Sequence, residues 1–190
     1  MNLVGNTCVA SYITRDCIKQ PFVNPFVWCI MDFESSYNLV KYWDDLNFEK
    51  YDLTKDNNWN FSIIIDEKIK VQYVHYKFSV KHDKITINNN DVYYNRIWEY
   101  IAEKYNKRIT TVKNEAPIFI FATANYGLAR HIPFTLEQQK KLDELNSKYK
   151  VIISFKNMID SKNITCIKQN SCFKDNGLVF SKYIYDNMKL

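Results

Sequence analysis

Glycine, proline and arginine are scarce in this sequence. Its 190 residues include only 3 Gly and 4 Pro, so most turns must be formed by Asn and Asp, which tolerate left-handed backbone geometry. Of the 26 basic residues, four are Arg and 22 are Lys, and they alternate with Asp and Glu. Nucleic-acid-binding proteins usually cluster their positive charge and use Arg for bidentate contacts. We therefore expect no nucleic-acid partner, in spite of the net charge of +5.

Long hydrophobic runs and paired cysteines are also lacking. No segment approaches the roughly 20 apolar residues that span a bilayer, and the amino-terminal segment has neither the charged region nor the apolar region of a signal peptide. The 5 Cys residues contain no CxxC pair, which argues against a disulfide framework and against structural zinc. We expect a cytoplasmic protein with reduced thiols, no membrane insertion, no metal and no cofactor. Nothing in the sequence indicates an oligomeric state.

Hydrophobic periodicity predicts alternating strands and helices. A short apolar strand at 1–5 leads into a helix that carries Cys8. Further strands are predicted at 61–66, 69–79, 118–123 and 151–155, and helices at 8–18, 32–44, 91–107, after Thr135 and at 178–188. This order, without a linker or repeat, predicts one α/β domain over 1–190, with a mixed central sheet and helices on both faces.

Cys8 is the residue with the strongest local case for chemistry. A cysteine in the first turn of a helix lies near unpaired backbone N–H groups and the positive end of the helix dipole, and both favour the thiolate. The same N–H groups, together with the side-chain amide of Asn6, would stabilise an oxyanion. The alternative is that Cys8 is a small buried apolar residue, as free cysteine usually is.

A thiol nucleophile normally needs a base, and the sequence offers 3 His. His75 lies in a predicted strand among aromatic residues, and its alternative role is that of a half-buried strand histidine. His82 lies in a charged turn, which is typical of a solvated residue. His131 follows the most apolar strand, in the kind of loop that forms sites at the carboxyl ends of strands in open α/β sheets.

Five short motifs follow one another through the first two thirds of the chain. They are Gly5-Asn6-x-Cys8, Asn24-Pro25-Phe26-x-Trp28, Val74-His75-Tyr76-Lys77-Phe78, EKYNKRI from Glu103 to Ile109, and PIFIFAT from Pro117 to Thr123. In order and spacing they resemble a bacterial family of unknown function that is described as papain-like cysteine peptidases. The sequence is also similar to a sibling family of unknown function labelled exopolysaccharide biosynthesis proteins.

The resemblance implies roles for three of these residues. Cys8 becomes the nucleophile, His75 the general base, and Arg108 a structural residue or a contact for an anionic substrate. The sequence departs from the family pattern at Val27, where the family has an acidic residue. It departs again after His75, where Tyr76-Lys77 replaces a single Asp.

The group that would orient His75 is therefore not assigned by the resemblance. Asn125, just after the strand at 118–123, and Asp32 are the candidates for that third catalytic position.

The first functional hypothesis is an enzyme that transfers or cleaves an acyl group through a thioester on Cys8. The resemblance implies a polysaccharide precursor or an acyl donor as its partner, in bacterial capsule or exopolysaccharide biosynthesis. Arg108 and Arg130 would contact an anionic donor. The binding residues predicted under this hypothesis are Asn6, Trp28, Arg108, Arg130 and His131.

The second hypothesis is a non-catalytic carbohydrate-binding or scaffold module with an aromatic-rich cleft. The aromatic residues that would line it are Trp28, Trp98, Tyr93, Tyr94 and Tyr126, and Trp59 is the one expected to be most exposed. The alternative is that these rings pack in the core. A glycosyltransferase is disfavoured, because the sequence has neither a D-x-D motif nor a glycine-rich nucleotide loop.

Overall fold

The computed structural model describes residues 1–21, 24–55, 61–73, 90–112, 115–122, 134–145, 147–169 and 177–188, without the side chains of 90–94, 177 and 178. The strands in these residues form two four-stranded sheets. The parallel sheet has the order β1 (Asn2–Gly5), β6 (Pro117–Ala122), β7 (Lys150–Ser154), β8 (Thr165–Cys166). The antiparallel sheet has the order β2 (Cys29–Ile30), β5 (Ile69–Tyr73), β4 (Phe61–Ile65), β3 (Tyr51–Lys55). The predicted α/β class is confirmed, but the strands lie in two sheets and not in one mixed sheet.

The helices occur near their predicted positions. They are α1 (Val9–Tyr12), which continues as a π-helix over Ile13–Ile18, α2 (Phe33–Lys41), α3 (Asn90–Val112), α4 (Leu136–Asp143) and α5 (Gly177–Asn187). Thr135 caps α4 as predicted, since its hydroxyl accepts from the Gln138 N–H at 3.1 Å and the Gln138 side chain accepts from the Thr135 N–H at 2.8 Å. No helix in the described ranges is long and apolar enough to cross a membrane.

One face of the parallel sheet is covered by helices. Side chains alternate between the two faces of a strand, and Leu3, Ile120 and Ile152 point to the face where α1, the π-helix and α5 pack. The contribution of α5 is its apolar stripe, in which Phe180 and Ile184 are almost fully buried. The strand that precedes Cys8 is therefore held in a fully buried layer.

The other face of the parallel sheet shares a core with the antiparallel sheet. Val4 and Phe119 from the parallel sheet belong to the same buried cluster as Ile63 and Val71 from the antiparallel sheet. Trp43, just after α2, lies in this cluster with its ring edge-on to Phe119 at 5.4 Å. The two sheets are thus joined by one apolar layer.

Candidate functional site

The loop between β1 and α1 is fastened to the end of β6. The Asn6 Oδ1 atom accepts a hydrogen bond from the Ala122 N–H at 2.9 Å, and the Thr7 hydroxyl donates to the Ala122 carbonyl at 3.2 Å. Both side chains are buried. No described residue accepts a hydrogen bond from the Asn6 Nδ2 group, so this amide keeps the donor capacity that an oxyanion contact needs.

Gly5 lets the helix approach the strand closely. A Cβ atom on this residue would lie 2.8 Å from the Ala10 Cβ and 3.1 Å from the Ile120 carbonyl oxygen. Both distances are shorter than ordinary van der Waals contacts. The absence of a side chain at Gly5 therefore sets how near Cys8 comes to the end of the parallel sheet.

Cys8 occupies the N-cap position of α1. Its side chain makes no capping hydrogen bond, and only 9% of its surface is exposed. Burial raises the pKa of the Cys8 thiol to about 12, and a backbone hydrogen bond lowers it by less. The expectation that the helix start ionises this thiol is therefore wrong for the free protein. The loss of hydration outweighs the stabilisation that the helix dipole gives to a thiolate.

Cys29 is a second thiol at this place, and sequence reasoning missed it. It is fully buried, and its Sγ atom donates toward the Phe26 carbonyl at 3.1 Å, with the Gly5 carbonyl at 3.7 Å. Burial raises the pKa of Cys29 well above its usual range, and the charge on an ionised Cys8 raises it further. Ionisation of one thiol would therefore oppose ionisation of the other. Cys29 follows the N-P-F-x-W motif directly, but no local pattern marks it as a neighbour of Cys8.

Trp28 lies against the helix that begins at Cys8. Its backbone N–H donates to the Ser11 hydroxyl oxygen at 2.7 Å, and its ring is edge-on to Tyr12 at 5.1 Å. Ser11 and Tyr12 are three and four residues after Cys8, so they share its side of the helix. Trp28 adopts a φ of 56°, in the left-handed region that is unusual for a bulky residue. Of the predicted binding residues, the structure brings Asn6 and Trp28 together with Cys8.

The Arg15 guanidinium extends this aromatic surface. It lies 5.2 Å from the centre of the Tyr12 ring and 5.3 Å from that of Trp28. Both nitrogens of its fork bond to the Asp16 carboxylate at 2.7 Å. These hydrogen bonds raise the pKa of Arg15 and lower that of Asp16.

Asp32 and Arg108 lie at or in helices other than the one that begins at Cys8. Asp32 is the N-cap of α2, where its carboxylate accepts from the Ser35 N–H at 2.7 Å. Arg108 lies in α3, two residues after Asn106, whose side chain accepts from the Tyr51 hydroxyl at 2.8 Å. This part of α3 is beside β3, at the opposite edge of the antiparallel sheet from the strand that carries Cys29.

Several predicted residues lie outside the description. His75, His131, Asn125 and Arg130 are not among the described residues, and neither are His82, Trp59 and Tyr126. The side chains of Tyr93 and Tyr94 are likewise outside it. Trp98 is half-buried and packs edge-on to Phe61 at 4.6 Å, which is a core contact.

The chemistry that these side chains offer is that of a neutral thiol beside amide and hydroxyl groups. Within the described ranges, no group of three or more His, Cys, Asp or Glu side chains is arranged to hold a metal ion. Comparison of the chain with protein-family models and with curated proteins finds no match.

Proposed function

We propose that the protein is a thiol-dependent enzyme that transfers or hydrolyses an acyl group through a thioester on Cys8. The motif order that resembles the papain-like and exopolysaccharide-labelled families supports a partner of the class of a polysaccharide precursor or acyl donor, in bacterial cell-surface biosynthesis. The observation that carries the proposal is the position of Cys8, at the carboxyl edge of the parallel sheet and at the start of a helix. This edge is where open α/β sheets bind their ligands.

The strands that end beside Cys8 support the choice of His75 and Asn125 as its catalytic partners. Thr7 is bonded to Ala122, which is three positions before Asn125 in the sequence. Cys29, which interacts with Cys8, pairs with Tyr73, which is two positions before His75. The strands that lead toward both proposed partners thus end close to the thiol.

The raised pKa of the Cys8 thiol favours general-base catalysis over a preformed ion pair. In the proposed reaction, the sulfur attacks the acyl carbonyl carbon while the thiol proton passes to the imidazole of His75. The Asn6 Nδ2 group donates to the oxyanion, and the leaving group departs with the proton from His75. Water or a sugar hydroxyl then attacks the thioester, and Cys8 regains a proton. Asn125 orients His75, and Arg130 binds an anionic acyl donor.

Acyl-enzyme trapping tests this proposal. The protein is incubated with p-nitrophenyl acetate or acetyl-coenzyme A and analysed by peptide mass spectrometry. We expect acetyl transfer to Cys8 in the wild type, its loss in Cys8→Ala and Cys8→Ser, and its retention in the matched variant Cys17→Ala, since Cys17 is a half-buried thiol in the π-helix. Acetylation that occurs only at other residues, or that is unchanged in folded Cys8→Ser, would show that Cys8 is not the nucleophile.

The burial of Cys8 favours a second candidate, a non-catalytic binding or scaffold module. A thiol that is 9% exposed with a pKa of about 12 is typical of a packing residue. Under this function the thiol stays inert toward both acyl donors, and Cys8→Ala retains full ligand binding. The His75→Gln variant separates the two candidates, because it abolishes thioester formation in the enzyme and leaves binding by a module unchanged.

A further inference from the structure

A cavity opens at the amino edge of the parallel sheet, at the opposite end of the strands from Cys8. Its volume is about 580 Å³, which lies in the range of small-molecule sites. It is lined by Trp43, Asp44, Glu115, Ala116, Lys148 and Tyr149. Three chain segments therefore meet at this cavity: the residues before β6, the residues before β7 and the residues after α2.

The carboxylates at this cavity lie in ion pairs. The Lys148 Nζ atom lies 2.7 Å from the Asp44 carboxylate, and the amino group of Met1 lies 3.4 Å from the Glu115 carboxylate. The Tyr149 hydroxyl also donates to Asp44. The Lys148 and Tyr149 hydrogen bonds lower the pKa of Asp44, so this carboxylate stays ionised. Both carboxylates of the lining therefore lie in ion pairs, and neither is an unpaired charge that would select a cation.

Hydrogen-bonding capacity remains unused at this edge. Trp43 is 5% exposed, and no described residue accepts a hydrogen bond from its indole N–H. This nitrogen is not among the enclosed atoms that lack a partner, so solvent reaches it. The side chain of Asn2 is 2% exposed, and its Oδ1 atom has no donor in the described part of the chain. Asn2 is paired with Pro117, next to Ala116 of the lining, and lies on the same strand face as Val4. The amino edge therefore offers the Trp43 N–H as a donor, whereas the Asn2 oxygen is enclosed and does not line the cavity.

The lining also offers aromatic surface. The Trp43 and Tyr149 rings are edge-on to one another at 6.4 Å, and the Lys148 ammonium lies 5.0 Å from the centre of the Tyr149 ring. Trp43 is enclosed by other rings, whereas Tyr149 is half-buried and leaves part of its ring at the cavity. An aromatic ring beside carboxylates, an ammonium and an indole N–H suits a molecule with an apolar face and several hydroxyls. Such hydroxyls both donate and accept, and a carboxylate that already accepts two hydrogen bonds has lone pairs left for more.

We propose that this cavity binds a neutral polyhydroxylated molecule of the saccharide class. Ligand hydroxyls donate to Asp44 and Glu115 and accept from Lys148 and the Trp43 indole, while the C–H face of the sugar packs on the Tyr149 ring. The site is independent of the thiol chemistry proposed for Cys8, and it uses none of the residues of the predicted aromatic cleft.

The test is ¹⁵N–¹H NMR of the whole chain with a panel of neutral monosaccharides and disaccharides, glucosamine and glucuronate. We expect neutral sugars to shift the indole N–H peak of Trp43, which is assigned with Trp43→Phe. The variants Asp44→Ala and Glu115→Ala each remove a carboxylate that accepts from the ligand, and each should weaken binding at least about tenfold, which corresponds to the loss of a charge-assisted hydrogen bond. Thermal unfolding of each variant verifies that it is folded.

The matched control is the Lys141–Glu34 pair, which lies 3.4 Å apart beside the Tyr37 ring and does not line the cavity. Glu34→Ala should leave binding unchanged, and so should Cys8→Ala, so that failure here is distinguishable from failure of the thiol proposal. The inference is overturned if no neutral sugar shifts the Trp43 peak, if glucosamine or glucuronate binds in preference, or if Glu34→Ala weakens binding as much as Asp44→Ala.

Discussion

The side-chain oxygen of Asn6 accepts a hydrogen bond from the backbone N–H of Ala122 at 2.9 Å, across 116 positions of sequence. This contact continues the pairing of β1 with β6 beyond the last paired residues, Gly5 and Ile120. Beyond the end of β1, the Asn6 side chain thus accepts the kind of hydrogen bond that backbone carbonyls accept within the sheet. It fixes the loop that carries Cys8 to the last residue of β6.

Removal of the Asn6 side chain should destabilise the fold. Asn6→Ala leaves the buried N–H of Ala122 without an acceptor, and we expect a loss of about 1–3 kcal/mol in the free energy of unfolding. Urea denaturation measures it. Asn38, which is hydrogen-bonded through its amide to Lys68 at an exposed position, is the control, and Asn38→Ala should cost less than about 0.5 kcal/mol. Equal losses in the two variants would contradict the role of Asn6.

A methyl group at Gly5 should be poorly tolerated for a steric reason. Its Cβ would lie 2.8 Å from the Ala10 Cβ, so Gly5→Ala should cost about 1–3 kcal/mol of stability through overpacking. The double variant Gly5→Ala with Ala10→Gly removes one of the two clashing groups. We expect it to be more stable than the sum of the two single changes implies, as measured in a double-mutant cycle. Simple additivity would show that the two Cβ positions do not interact.

Labelling of Cys8 should be slow at neutral pH. A thiol whose pKa is raised to about 12 has about 1,000-fold less thiolate at pH 7 than one with the ordinary value of 9.0. The rate of reaction with iodoacetamide, followed by peptide mass spectrometry, should rise about tenfold per pH unit across the range in which the protein stays folded. The unfolded chain in urea provides the reference rate. Rapid labelling of folded protein at pH 7 would refute the raised pKa.

The raised pKa of Cys8 also predicts how the stability of the fold depends on pH. The Cys8 thiol binds its proton more tightly in the folded state, because its pKa is raised to about 12. The stability that this difference contributes is therefore fully present below the unfolded pKa of about 9 and is lost as the pH rises toward 12. Urea unfolding of the wild type should weaken over this window more steeply than that of Cys8→Ala. Parallel pH profiles would be the contrary result.

Because the backbone of Trp28 is left-handed, we expect the glycine variant at this position to be more stable than the alanine variant. At a φ of 56°, alanine has the same strain as tryptophan but loses the ring contacts, whereas glycine loses the contacts and relieves the strain. Trp28→Gly should therefore be about 1 kcal/mol more stable than Trp28→Ala, the reverse of the usual preference. Thermal unfolding of the two variants provides the comparison. If the alanine variant were the more stable, strain at Trp28 would be negligible.

Local signals in the sequence were sufficient for most element positions. Thr135 and Gln138, three positions apart, carry a complete capping box. The strand β3 escaped prediction because Asp52 and Leu53 are both exposed, so the strand has no alternating pattern.

Properties that depend on distant parts of the chain could not be predicted. The separation into two sheets rests on which strands pair, and β1 pairs with a strand more than a hundred residues later. The position of Cys8 at a helix start was predicted, but its burial could not be predicted from the residues around it, and burial decides its pKa. The burial of the Cys29 thiol and the cavity at Trp43 likewise depend on segments that are far apart in sequence.

The parallel direction of β1, β6 and β7 separates the two proposed sites by the length of a strand. Six residues of β6 at about 3.3 Å each span roughly 20 Å. A molecule the size of one sugar cannot touch the Cys8 sulfur and the Trp43 indole at once. Occupation of either end leaves the other physically accessible, so a compound that blocks one should not compete with a ligand of the other.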